Sequence, residues 1–161
     1  MNKLLTLFLC GFVLPFASCG EDISPIEPPL YSGYRITSVT LNRIPATAAN
    51  NVVWDNIDGP DVYFSVNGLG HGEVFDNVAL PQGLPLVWNL ATPMAVTSIA
   101  TQYDLVFYDK DAANDAIMGS LQFSGNILQE GSRYPSSFVL KSTDGTVEAT
   151  VNLMWTSAVA F

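Results

Sequence analysis

From Tyr34 onward the chain alternates apolar and polar residues with a period of two, and that period decides the class of fold. Tyr34-Arg35-Ile36-Thr37-Ser38-Val39-Thr40-Leu41, Val62-Tyr63-Phe64-Ser65-Val66 and Tyr103-Asp104-Leu105-Val106-Phe107-Tyr108 each do so, as strands with one buried face do. No window sets apolar residues at i, i+3, i+4 and i+7 between capping residues, so helices are not expected. Shorter strand-like runs fall at 85–90, 95–99, 119–123, 137–140 and 146–155. Asn67-Gly68-Leu69-Gly70 is a glycine-rich turn after which 72–75 runs back, and Asp144-Gly145 is a hairpin turn. About eight strands at roughly regular spacing predict an all-β domain, either a two-sheet sandwich or a barrel.

The 161-residue length suits one such domain, and 48% apolar content is enough for a packed core. Fifteen acidic against six basic residues give a net charge of −9. That balance excludes a basic nucleic-acid binder, which needs clustered Lys and Arg against phosphate. It equally excludes a polybasic surface that seeks anionic lipid. With only Cys10 and Cys19, no disulfide framework is expected.

Residues 1–18 read as a targeting segment: Lys3, an apolar run from Leu4 to Phe16, then small residues. The run is too short for a membrane-spanning helix, which needs roughly 20 apolar residues. One reading is a plain signal peptide cut near Ala17 or Ser18. However, Ala17-Ser18-Cys19 resembles the bacterial lipobox, with Phe16 where that motif has leucine. The resemblance implies cleavage after Ser18 and lipidation of Cys19. Losing Lys3 would leave five basic and fifteen acidic groups, a net of −10.

Residues 19–33 then hold the lipidated cysteine and a tether. Pro25, Pro28 and Pro29 disfavour helix and central strand alike and favour an extended chain. Glu21 and Asp22, just after the cysteine, resemble the surface-export signal of Bacteroidota lipoproteins. This implies a lipid anchor in the outer membrane with the domain, residues 34–161, at the cell surface. The alternative is an ordinary linker facing the periplasm.

Six of the ten aspartates crowd into two short runs. Asp55, Asp58 and Asp61 precede one strand, and Asp109, Asp111 and Asp115 follow another. Like charges held together cost free energy unless screened by water or neutralised. Calcium, which takes six to eight oxygen ligands at about 2.3–2.6 Å, is the natural neutraliser. Neither run is an EF-hand, because the glycine and glutamate that such a loop requires are missing.

The two runs resemble calcium-binding loops one and three of the C2 domain, an eight-stranded antiparallel β-sandwich found in protein kinase C and synaptotagmin. Asp55 and Asp61 have the six-residue spacing of the first loop, and Asp61-Val62-Tyr63-Phe64 its exit into a strand. Leu105-Val106-Phe107-Tyr108-Asp109-Lys110-Asp111 has the strand and Asp-x-Asp of the third loop. Asp115-Ala116-Ile117-Met118-Gly119 has its ending, with one extra residue before the glycine. The resemblance implies a C2-like sandwich with Asp55, Asp61, Asp109, Asp111 and Asp115 as calcium ligands and Asp58 as an auxiliary. Aspartate is also a common turn residue that caps backbone amides, and many C2 domains have lost calcium, so decorative loops are the alternative.

Catalysis is not expected. His71 is the only histidine, without the Cys or acid partners of a zinc site and without a paired nucleophile. Gly68-Leu69-Gly70-His71-Gly72 joins two strands and opens no helix, so it is no dinucleotide fingerprint. The aspartates lie in polar loops, unlike the apolar pocket of a glycosidase acid. Trp88 and Trp155 fall at strand positions and are expected in the core, while Trp54 adjoins the first acidic run. A sugar-stacking platform would need these tryptophans on one face. Ile57, near the tip of that run, is placed to meet a membrane or partner, although a single exposed apolar residue is more often incidental.

Two functions fit. One is a lipid-anchored module that docks through calcium on anionic headgroups or on a protein partner. The other is a structural accessory lipoprotein of an outer-membrane complex, with degenerate calcium loops.

Overall fold

The computed structural model describes residues 31–48, 51–55, 58–98, 100–124 and 134–157. The signal segment, Cys19, most of the tether and Ile57 lie outside the described residues. Among the described residues eight strands form: β1 (Tyr31–Arg43), β2 (Val62–Val66), β3 (Gly70–His71), β4 (Leu86–Val96), β5 (Gln102–Asp109), β6 (Ala116–Ser124), β7 (Ser137–Lys141) and β8 (Glu148–Ser157). They make two four-stranded sheets, in the orders β4-β1-β8-β7 and β3-β2-β5-β6. Every pairing is antiparallel. The expected all-β sandwich is therefore the observed fold.

The two inner faces meet in one core. Trp88 of β4 sits at its centre, with ring centroids of Phe64 at 5.1 Å and Phe107 at 6.1 Å from the opposite sheet. Its indole N–H donates to the Glu73 carbonyl at 2.8 Å, so the ring is buried without an unpaired donor. Gly72 lets this happen, because a β-carbon there would run into the Phe64 and Trp88 rings.

Two expected features differ. The runs at 85–90 and 95–99 are one strand, β4, whose register against β1 jumps between Asn89↔Ser38 and Met94↔Ile36. Four residues of β4, including Pro93, thus oppose Thr37 alone. Proline, which cannot donate to the ladder, is tolerated at such a bulge on an edge strand. The segment expected to run back at 72–75 pairs earlier, at Gly70–His71, with only a bridge from Phe75 to Val62 beyond it.

The connections fix the two ends of the sandwich. β2 starts and β5 finishes together, with Val62 opposite Asp109. At the other end, the short stretch 97–101 joins the end of β4 to the start of β5, and Val96 pairs with Tyr34 near the start of β1. Tyr31 pairs with Ser157 at that same end. Chain entrance and last described strand residue thus lie opposite the Asp109 end.

Candidate metal centre

Asp109 closes β5, and the alternation of that strand decides its fate. Tyr103, Leu105 and Phe107 face the core, and Asp109 follows in the same phase at 1% exposure. Its Oδ1 accepts the Asp61 backbone N–H at 3.0 Å, while its Oδ2 is buried without a hydrogen-bond partner among the described residues. A buried, orphaned carboxylate oxygen carries a large desolvation cost. Burial pushes the Asp109 carboxyl up to about 6. The Asp61 N–H works against this, and the charges of Asp55, Asp111 and Asp61 add to the rise.

Asp55, from the loop before β2, and Asp111, from the loop after β5, converge on Asp109. One carboxylate oxygen from each of the three lies within 4.8 Å of the other two. Two oxygens bound to one calcium at about 2.4 Å can be no more than about 4.8 Å apart, so the trio has the span of a single coordination shell. The donors are all hard oxygens, as calcium prefers. Desolvation and the charges of Asp111, Asp58 and Asp61 also raise the Asp55 carboxyl.

The other expected ligands have different immediate partners. Asp61 directs Oδ1 to the Asn77 backbone N–H at 2.8 Å, and its own backbone carbonyl accepts from Lys110 N–H at 2.9 Å. This places it beside the trio as the staple between both loops. Asp115 accepts the Tyr63 hydroxyl on Oδ2 at 2.6 Å and the Asp111 backbone N–H on Oδ1 at 3.2 Å. Burial and the hydrogen bond to Asp115 push the Tyr63 phenol up to about 12. Asp115 thus sets the Asp111 backbone from outside the trio. Asp58 is exposed. Tyr63 and Asn77 were not singled out from sequence, since both act through loop contacts made only after folding.

Among the described residues, three exposed aliphatic side chains accompany this end. Val52 (57% exposed) and Val53 (48%) lie just ahead of Asp55, and Ile117 (63%) follows Asp115. Ile117 pairs with Tyr108, which pairs with Tyr63, so the three form one row on the outer face. The Tyr63 and Tyr108 rings stack at 5.0 Å.

The tryptophans do not share a face. Trp88 is core; Trp54 donates to the Pro45 carbonyl at 3.0 Å in the first loop; Trp155 packs with Tyr31, Tyr34 and Tyr134 at the far end. His71 is exposed, with Nδ1 3.0 Å from the Gly72 carbonyl.

No protein-family model matches the chain, and no curated protein matches it. Among solved structures the chain is similar to the tandem C2 domains of Extended-Synaptotagmin 2, at TM-score 0.52 and 15% identity over 96% of this chain and 49% of that one. The calcium-bound form of those domains gives TM-score 0.50 at 15% identity, over 81% and 48%. A single C2 domain of plant Extended Synaptotagmin 1 gives TM-score 0.50 at 14% identity, over 83% and 99%. The chain therefore spans about half of the two-domain structures and nearly all of the single domain. At such identities the likeness is one of architecture, and the architecture of this chain is the C2 sandwich.

Proposed function

We propose that this protein is a lipid-anchored docking module that uses calcium to bind anionic headgroups. The observation that carries the reading is the orphaned Oδ2 of Asp109, buried where Asp55 and Asp111 converge. A cation there would supply the missing partner and offset three crowded charges, and one C2 neighbour is itself calcium bound. Asp55, Asp109 and Asp111 would hold the ion, Asp61 would brace the two loops, and Asp115 would position Asp111. The ion would leave coordination positions for phosphate oxygens, with Val52, Val53 and Ile117 as apolar groups that suit a bilayer interface. A processed chain of net charge −10 repels an anionic surface, so docking is strictly cation-dependent. The lipidated Cys19 would hold the protein at the outer membrane, facing the cell exterior, without catalytic activity.

A melting curve in calcium against chelator, paired with sedimentation on phosphatidylserine vesicles, tests the reading. Calcium should raise the melting temperature and carry the protein down with the vesicles. If neither occurs, the second reading stands: an accessory scaffold whose aspartates serve as loop staples. The amide and hydroxyl bonds already made by Asp61 and Asp115 favour that alternative.

A further inference from the structure

We infer that the outer face of the β3-β2-β5-β6 sheet holds a carbohydrate site, built around Tyr63 and taking an uncharged sugar whose pyranose ring carries equatorial substituents. The site needs no cation and is separate from the acidic trio. It arises from the way β2 meets the chain beyond β3. Gly72 N–H donates to the Phe64 carbonyl at 2.9 Å, and Phe75 exchanges both backbone bonds with Val62 at 2.8 Å. Glu73 and Val74 therefore oppose Tyr63 alone, a bulge of the kind that borders binding sites. β3, at the edge of its sheet, is only two residues long, so the chain after it bows away from Tyr63. Two adjoining hollows open there, of about 530 and 310 Å³, and Tyr63, His71 and Asp115 line both. Tyr108 and Ser65 also line the first, and Glu73 and Lys110 the second. Both volumes fall in the range of small-ligand sites, about 300–1,000 Å³.

The Tyr63 ring is held at both ends. Tyr108 backs one of its faces, with the rings 5.0 Å apart and 14° from parallel, and its hydroxyl donates to Asp115 at 2.6 Å. A ring fixed in this way loses little freedom when a ligand stacks on it. A pyranose with equatorial substituents offers such a ring a face of C–H bonds and turns its hydroxyls to the rim. The groups on that rim can receive them. An ionised carboxylate has about four acceptor sites, and Asp115 uses two, for the Tyr63 hydroxyl and the Asp111 N–H. His71 Nδ1 lies 3.0 Å from the Gly72 carbonyl, which can only accept, so Nε2 of the neutral ring is left as an acceptor. Ser65, directly across from His71, adds a hydroxyl. The entrance is open at Gly68, where a β-carbon would meet nothing within 4 Å. Charge then decides the class of sugar. Asp115 and Glu73, on a chain of net charge −9, repel phosphates and uronates. Lys110 beside them disfavours a cation, and neutral hydroxyls are what this set of groups can satisfy.

The test titrates the full chain with cellohexaose and with xylohexaose by calorimetry, in chelator and again in calcium. At least one should bind with a Kd of about 0.1–1 mM, unchanged by calcium or by added salt. Saturation-transfer NMR should place the ring C–H protons of the sugar against an aromatic side chain. Tyr63→Ala should weaken binding by about tenfold or more, and Tyr63→Phe, which keeps the ring, by about threefold or less. His71→Ala, at an exposed position, should cost about threefold. If Tyr63→Ala loses its melting transition, Tyr63→Leu takes its place with the same expectation, since it keeps an apolar side chain without a ring. Failure of both sugars to bind overturns the assignment, as does a variant lacking the Tyr63 ring that binds like wild type. Binding of polygalacturonate in their place, or affinity that falls steeply with salt, overturns the neutral class. Sugar binding seen only with calcium belongs to the acidic trio and overturns the site on this face.

Discussion

Asp109→Asn is the substitution that separates a metal ligand from a packing residue. Asparagine keeps the shape and keeps Oδ1 as acceptor for the Asp61 N–H at 3.0 Å. Where the orphaned Oδ2 now lies it puts an NH₂ group, and it removes one of the three charges that converge at this site. In the metal-free protein the Asp109 carboxyl is raised to about 6, roughly two units above an ordinary aspartate, which corresponds to about 2.7 kcal/mol of unfavourable charge at neutral pH. Its neighbours are partly or fully exposed, and screening by water reduces the amount relieved to about 1–2 kcal/mol. Differential scanning fluorimetry in chelator should therefore show the variant melting about 3–6 °C above wild type. Calcium should reverse the order. At ten- to a hundredfold above Kd the ion stabilises wild type by about 1.4–2.7 kcal/mol, whereas the variant should gain nothing measurable. A variant less stable than wild type in chelator, or one that keeps the calcium gain, would refute the electrostatic account of this site.

The remaining expectations follow from the same geometry. In chelator, wild type should grow more stable relative to Asp109→Asn as pH falls: with a folded pKa of about 6 against about 3.9 unfolded, the proton-linked stability is complete below about pH 4 and lost as pH rises through 6. Melting temperatures of both proteins across pH 4–8 check this, and calcium binding should weaken over the lower half of that range. Asp55→Asn and Asp111→Asn should each weaken calcium binding by about tenfold or more, but Asp115→Asn by about threefold or less, because Asp115 bonds Tyr63 and the Asp111 amide outside the trio; titration calorimetry distinguishes them. Phe107→Ala should cost about 3–5 kcal/mol in urea unfolding, since the ring is fully buried between the sheets. Cys19→Ala should move the protein from membrane to soluble fraction, and persistence on membranes after a carbonate wash would exclude lipid as the anchor.

Where pairing keeps a simple alternation, the sequence alone reveals the strand. β2 and β5 show this: their buried phases, 62-64-66 and 103-105-107, are their apolar phases. β1 is subtler. Its apolar residues shift phase from Tyr34 and Ile36 to Val39 and Leu41, and the structure absorbs the shift as a bulge at Thr37, opposite the Leu153–Asn152 step of β8. The shift is visible in the sequence, although its meaning depends on a partner more than a hundred residues away. β4 could not be read as one strand for the same reason. Its middle residues 90–93 show no alternation of their own and are held in the strand by β1 on either side of the bulge. Local pattern describes a face, and register belongs to the pair.

The candidate site divides along the same line. Spacing groups six aspartates and the resemblance to C2 loops names five of them as ligands, without separating ligand from cap, because ligand loops and turn-capping loops draw on the same residue for the same property, a short carboxylate that reaches backbone amides. What singles out Asp109 is not its spacing but its phase. Tyr103, Leu105, Phe107 and Asp109 occupy one alternating series, and extending that series by one step puts a carboxylate where three large apolar residues have already pointed inward. A strand that delivers a carboxylate to its core-facing phase makes it costly to ionise unless a partner waits there. Asp61 is in the opposite phase to Val62 and Phe64, and its Oδ1 finds the Asn77 amide without leaving the loop. A carboxylate that the protein itself satisfies thus differs from one whose second oxygen has no donor among the described residues. Of the five, Asp109 is the one that meets the latter condition with its oxygen fully buried, and it is on Asp109 that Asp55 and Asp111 converge.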